Sequence, residues 1–140
     1  MTETNDAGPQ PTSTFIQYLG ISIDHREAGA ARLRLKLLDM HMRGDGTAHG
    51  GLLTAMADTS LSQALRSIQT PDEVASTIEL KVNYLSPARL GETMVSEAKV
   101  VQREGHIAIV AGDIREESSG RLVLTGLGTF IVEGRRPPKT

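Results

Sequence analysis

His49-Gly50-Gly51-Leu52-Leu53-Thr54-Ala55-Met56-Ala57-Asp58-Thr59-Ser60-Leu61 is the stretch whose reading decides the fold. Leu52, Leu53, Ala55, Met56, Ala57, Leu61, Ala64 and Leu65 surround most of a helix predicted from about residue 49 to 67. A helix apolar nearly all round belongs inside a core. Two features exceed core duty. Glycines at a helix start cost roughly 1 kcal/mol each against alanine, so the pair Gly50-Gly51 needs a local reason. Close approach of a ligand carbonyl is one; tight helix–sheet packing is another. Asp58 then places one carboxylate where charge is otherwise excluded. With Thr54 and Ser62, spaced by four, it draws a polar stripe that on an ordinary helix faces solvent. Amide N–H groups at a helix start stabilise negative charge on an oxygen, and a carboxylate near apolar walls can serve as a general base. Together they are the minimum parts for hydrolysing an activated acyl group.

Outward from this helix, residues 40–48 contain Gly44 and Gly46 and read as a loop. Residues 21–38 alternate, and Arg32-Leu33-Arg34-Leu35-Lys36-Leu37 is close to strict period two, which predicts a strand with one wet face. A short helix is predicted over residues 15–19, capped by Thr14 or Ser13. After Pro71, strands are predicted over residues 75–85, 93–102, 107–116 and 122–132. Turn signals separate them at Pro87 to Gly91, Glu104-Gly105 and Ser118-Ser119-Gly120. One long buried helix followed by consecutive antiparallel strands predicts an α+β fold, a sheet wrapped round the helix. Residues 14–133 form one domain in this reading. Residues 1–13 read as a disordered lead and 134–140 as a flexible basic tail.

With 140 residues there is room for a single core. A net charge of -2 gives no basic stripe of the kind nucleic acid requires. No segment is long and apolar enough to span a membrane, and the polar N-terminus lacks a secretory h-region. The absence of cysteine removes disulfides, a thiolate nucleophile and Cys-based metal sites. His25 and His41 stand alone, so no metal site is expected. A cytoplasmic protein is expected.

The segment from His49-Gly50-Gly51-Leu52 through Ala57-Asp58-Thr59 resembles the hotdog-fold thioesterases of the phenylacetate-degradation (PaaI-like) type. Thr77-Ile78-Glu79-Leu80-Lys81-Val82-Asn83-Tyr84-Leu85-Ser86-Pro87-Ala88 and Gly91 resemble that family's second signature strand. The similarity runs in order from about residue 20 to 132. It implies a single hotdog domain and hydrolysis of an acyl-CoA thioester, with coenzyme A present only as part of the substrate.

The resemblance also implies residue roles. The Gly50 backbone N–H would polarise the thioester carbonyl. Asp58 would be the catalytic carboxylate, and the Thr77 hydroxyl would position water beside Asp58 of the same subunit. Taken alone, Thr77 is an ordinary β-branched strand residue. His49 is expected to hold the loop rather than transfer protons, and Gly51 and Tyr84 join it in the substrate-binding set. Arg43 departs from the family, whose members usually carry asparagine six residues before the histidine to help hold the carbonyl. Arginine can still donate, and its charge favours an oxyanion; swung outward, it would pair with Asp45 or meet a phosphate. Arg89, Arg103 and His106 lie in the two regions where the family contacts the nucleotide, although each alone reads as a solvated surface charge. With only Phe15, Tyr18, Tyr84 and Phe130 aromatic, the acyl pocket is expected to be lined by Leu, Ile, Val and Met.

Gly50 and Asp58 are eight residues apart, roughly 12 Å along one helix. A base and an oxyanion donor must both lie roughly 3 Å from one reacting centre. If both act on one thioester, Asp58 must come from a second subunit whose helix lies antiparallel alongside. A homodimer, or a dimer of dimers, is therefore expected. Whether Asp58 activates water or attacks the carbonyl itself is left open by the sequence. Two other readings remain at this stage: a non-catalytic acyl-CoA binding module, and a hotdog dehydratase, which would want a histidine as its working base.

Overall fold

The computed structural model describes residues 13–134. In chain order the elements are α1 (Thr14–Leu19), β1 (Ser22–Glu27), β2 (Ala30–Lys36), a 3-10 turn (Asp39–His41), α2 (Gly50–Arg66), β3 (Glu73–Tyr84), β4 (Thr93–Glu104), β5 (Ile107–Glu116) and β6 (Leu122–Gly134). The six strands form one sheet in the order β1-β2-β4-β5-β6-β3, with every neighbouring pair antiparallel. The sheet wraps α2, which packs on β4, β5, β2 and β3. This is the predicted α+β architecture.

The alternating stretch read as one strand is two. Ala28 and Gly29 both take positive φ, 51° and 83°, and close a tight hairpin between β1 and β2. Two left-handed positions in a row suit a turn whose twist matches the flanking strands. Alanine is an uncommon occupant of the first, which is why the pattern did not signal a break. At the ends, Ser13 caps α1 by accepting from the Ile16 N–H, and Gly134 pairs with Glu73. The rest of the predicted lead and tail lies outside the described residues.

The core joins one face of the sheet to α2. Phe130, Leu33, Leu35, Met56, Leu61 and Leu65 are among the side chains with almost no exposed surface. Glycines in the sheet let the helix approach. A Cβ on Gly112 would stand 2.8 Å from the Glu97 carbonyl oxygen and 3.1 Å from Leu61, and one on Gly128 would stand 2.8 Å from the Phe130 ring and 2.9 Å from Leu61. Bare backbone on β5 and β6 thus makes the hollow into which Leu61 fits. Among the described residues no helix is long and apolar enough to cross a membrane.

Candidate active site

His49 is the N-cap of α2, and its Nδ1 accepts the Gly51 N–H at 2.9 Å. An accepting Nδ1 leaves the ring proton on Nε2. The Gly50 N–H, one of the orphan donors of a helix start, has no acceptor among the described residues. Tyr84 covers the other side of Gly50: its hydroxyl donates to the Gly50 carbonyl at 2.9 Å and meets the Thr54 hydroxyl in a short contact. A Cβ on Gly50 would already touch the Tyr84 ring at 3.4 Å.

The loop before α2 is tied at both ends. The buried His41 accepts the Leu38 N–H through Nδ1 and donates from Nε2 to the Leu19 carbonyl at 2.7 Å. The His49 N–H donates to the His41 carbonyl, and the Ala48 N–H to the Ala88 carbonyl. Arg43 turns to Asp45, with Nη2 2.6 Å from Oδ2. The Thr47 hydroxyl and N–H both donate to Asp45 Oδ1. The Thr47 hydroxyl foremost, then Arg43, holds the Asp45 carboxyl well below its ordinary range. Arg43, Gly50, Gly51 and Tyr84 border a cavity of about 630 Å³.

Asp58 faces elsewhere. It lies two turns further along α2, half-buried, and its Oδ1 accepts the Thr77 hydroxyl at 2.9 Å. A β-bulge in β3 between Thr77 and Glu79 adds Ile78 to the strand opposite Phe130 and Thr129. Bulges re-aim neighbouring side chains, and this one lies beside the contact to α2. Asp58 borders a second cavity, of about 550 Å³. Phe15 and Ile16 give it apolar wall, but Thr59, Ser62, Gln63 and Arg66 border it as well. Its border is thus polar as well as apolar. Four polar side chains follow Asp58 along the face of α2 that the apolar count did not cover.

The other predicted contacts scatter. Arg89 has an exposed side chain with no ion-pair partner among the described residues, and its backbone N–H donates to Glu92. Arg103 grips Glu73 with both terminal nitrogens, at 2.9 and 2.5 Å, and holds the Glu73 carboxyl down to about 2. His106 donates from Nδ1 to the Val132 carbonyl. Arg121 was not anticipated. It donates to both Glu92 carboxylate oxygens, to the Ser86 hydroxyl and to the Pro87 carbonyl, and so clamps the turn that carries Arg89. Its signal in the sequence is only a charge beside a glycine turn. Among the described residues no three His, Asp or Glu side chains gather as metal ligands.

The structure therefore brings Thr77 to Asp58, Tyr84 to Gly50 and His49 to Gly51, but sets Gly50 and Asp58 on different cavities of one chain. The thioesterase superfamily model matches residues 45–123, from the loop before α2 to the start of β6. A Halobacterium salinarum protein is 33% identical over 129 residues, 84% of this chain and 83% of that one. The human acyl-coenzyme A thioesterase 13 is 28% identical over 116 residues, 82% of each chain. A mutant of the phenylacetic acid degradation protein PaaI from Thermus thermophilus superposes with a TM-score of 0.78 at 26% identity. That superposition covers 85% of this chain and 98% of that one.

Proposed function

The chain belongs to the thioesterase superfamily, and from that premise we propose that it hydrolyses acyl-coenzyme A thioesters with water activated by Asp58. The observation that carries the reading is the Thr77–Asp58 hydrogen bond. A hydroxyl has one proton and two lone pairs. With its proton given to Asp58 Oδ1, Thr77 can only accept from a water. That water donates one hydrogen to Thr77 Oγ1 and the other to Asp58 Oδ2, which leaves its own lone pair for the thioester carbon. Asp58 takes the proton as the C–O bond forms and returns it to the sulfur as the C–S bond breaks, so coenzyme A leaves as the thiol and the carboxylate is restored.

The negative charge that develops on the carbonyl oxygen needs a donor. The Gly50 N–H supplies it from the helix start, where the backbone dipole favours an anion. Because the two groups of one chain face separate cavities, the donor is Gly50 of the partner subunit, and the active unit is a dimer with two composite sites. β3 supports this. It is an edge strand whose outer side pairs with nothing among the described residues, and it exposes Val74 and Ile78 at 44% and 57%. Long apolar edges are otherwise an aggregation hazard.

Arg89 is the proposed contact for the coenzyme A phosphates, held in place by the Arg121–Glu92 clamp. Arg103 is occupied by Glu73, and Arg43 orders its loop through Asp45. A thioester panel with free-thiol detection tests the reading. Turnover by the wild-type protein that collapses in Asp58→Asn supports it. Coenzyme A binding without turnover in either protein would make the chain a binding module.

A further inference from the structure

The cavity beside Asp58 ends in donors. Asp58, Ser62 and Arg66 follow each other by four along one face of α2, with Gln63 flanking. The two nearer hydroxyls have given up their protons: Thr59 donates to the Ala55 carbonyl at 2.7 Å, and Ser62 to the Thr59 carbonyl at 3.0 Å. Gln63 differs. It is 93% buried (7% exposed), and its Oε1 accepts from Arg26 at 2.6 Å. That bond fixes the amide orientation, so both Nε2 protons remain, with no acceptor among the described residues. Arg66 has no carboxylate partner among the described residues, and Arg26, close enough to feel its charge, has none either.

Neither acid bordering the cavity is paired with Arg66. Glu73 has both carboxylate oxygens on Arg103, and Asp58 has one oxygen on Thr77. Phe15 and Ile16 wall the space between. A hydrocarbon terminus at the far end would desolvate the buried Gln63 amide without giving it an acceptor, which is costly, and would leave the exposed Arg66 guanidinium to water. An anionic terminus satisfies both. We propose that the acyl group carries a carboxylate at its far end, received by Arg66 and Gln63, an assignment that rests on the thioesterase reading and adds the substrate class to it. Arg66 lies roughly 12 Å beyond Asp58 along the axis, and long side chains on a helix lean back toward its start. A few methylenes therefore separate the thioester from the carboxylate.

Adipyl-CoA and hexanoyl-CoA, equal in carbon count and differing in the terminal carboxylate, are the probes. The expected kcat/KM for adipyl-CoA exceeds that for hexanoyl-CoA by about tenfold, the scale of a charge-assisted hydrogen bond. Arg66→Gln should remove most of that ratio, Arg66→Lys should recover part, and added salt should shrink it. A wild-type ratio at or below one, or a ratio untouched by Arg66→Gln, overturns the proposal. If the wild-type protein hydrolyses neither ester, the thioesterase reading fails, and calorimetric binding of the same two esters still decides this one. Tighter adipyl-CoA binding lost in Arg66→Gln upholds the carboxylate site, and equal affinities overturn it.

Discussion

The Thr77 hydroxyl donates to Asp58 Oδ1 across 2.9 Å and joins β3 to the middle of α2. If the pair positions and deprotonates water, its two members have unequal roles. Asp58→Asn keeps size and removes the base, so kcat should fall about 10²- to 10⁴-fold with the circular dichroism spectrum unchanged. Thr77→Val keeps shape and removes only the hydroxyl; its loss should be smaller, and Thr77→Ser should restore most of it. Near-wild-type turnover in Asp58→Asn would leave the contact as a structural tie between strand and helix.

α2 was legible because its apolar residues cover most of a helical circumference, and β3 to β6 because Gly and Pro turns separate alternating runs. The β1–β2 break was not, since Ala28 in a left-handed conformation has no compositional signature. Nor does any local pattern say that β3 ends at the sheet edge beside β6, because strand order is set by long-range pairing. At the site, Asp58 and Gly50 could be named from residue type and spacing. Ser62 could be named only as part of a polar stripe, and Gln63 and Arg66 not at all, because whether such residues face solvent or a cavity depends on what α1 and β3 place opposite them. Arg121 was invisible for the same reason: its partners Ser86, Pro87 and Glu92 are about thirty residues away.

The Glu73–Arg103 pair makes a prediction about acid stability. The Arg103 hydrogen bonds, then the Thr70 N–H, bring the Glu73 carboxyl to about 2 from an ordinary 4.5. A carboxyl depressed in the fold contributes stability above its ordinary value and loses it as pH falls toward the depressed one. The melting temperature should therefore drop as pH falls from 4.5 to 2. Glu73→Gln should flatten part of that slope while lowering the melting temperature at pH 7. Glu116, also held at about 2, chiefly by the Ser118 hydroxyl, supplies a further part that Glu73→Gln leaves in place. Parallel profiles for wild type and variant would show that the pair does not act through protonation.

The hollow for Leu61 predicts a cost for any side chain at its floor. A methyl on Gly128 would stand within 3 Å of both Phe130 and Leu61, and both neighbours are fully buried. Overpacking of this kind costs about 1–3 kcal/mol, so Gly128→Ala should lower the denaturation midpoint at unchanged m-value. Gly44→Ala, where nothing lies within 4 Å, is the matched control and should be close to neutral.

Arg43 should matter for binding more than for chemistry. Its guanidinium is already on Asp45, both side chains are more than half exposed, and solvent screens a pair of this type. Arg43→Ala should then raise KM and leave kcat within about fivefold, and Asp45→Asn should behave alike because both loosen the same loop. A fall in kcat of about 10²-fold or more, the scale of one oxyanion donor, would assign the carbonyl to Arg43 instead of the Gly50 amide.

The composite site can be tested by complementation. Gly50 is the first residue of α2, and His49 before it is extended, with φ -62° and ψ 131°. Proline is well accepted at a first helical position and tolerates an extended predecessor. Gly50→Pro therefore deletes the N–H donor while sparing the helix, and kcat should fall about 10²- to 10³-fold. Asp58→Asn should be inactive for the separate reason given above. In the proposed dimer, co-expression of the two variants would give mixed dimers in which one site pairs an intact Asp58 with Gly50 of the partner subunit, and the other site has neither. Random pairing makes half the dimers mixed, each with one of two sites intact, so activity should return to about a quarter of wild type in a two-fold assembly. If base and donor served within one chain, every mixed dimer would carry two broken sites, and co-expression would recover nothing.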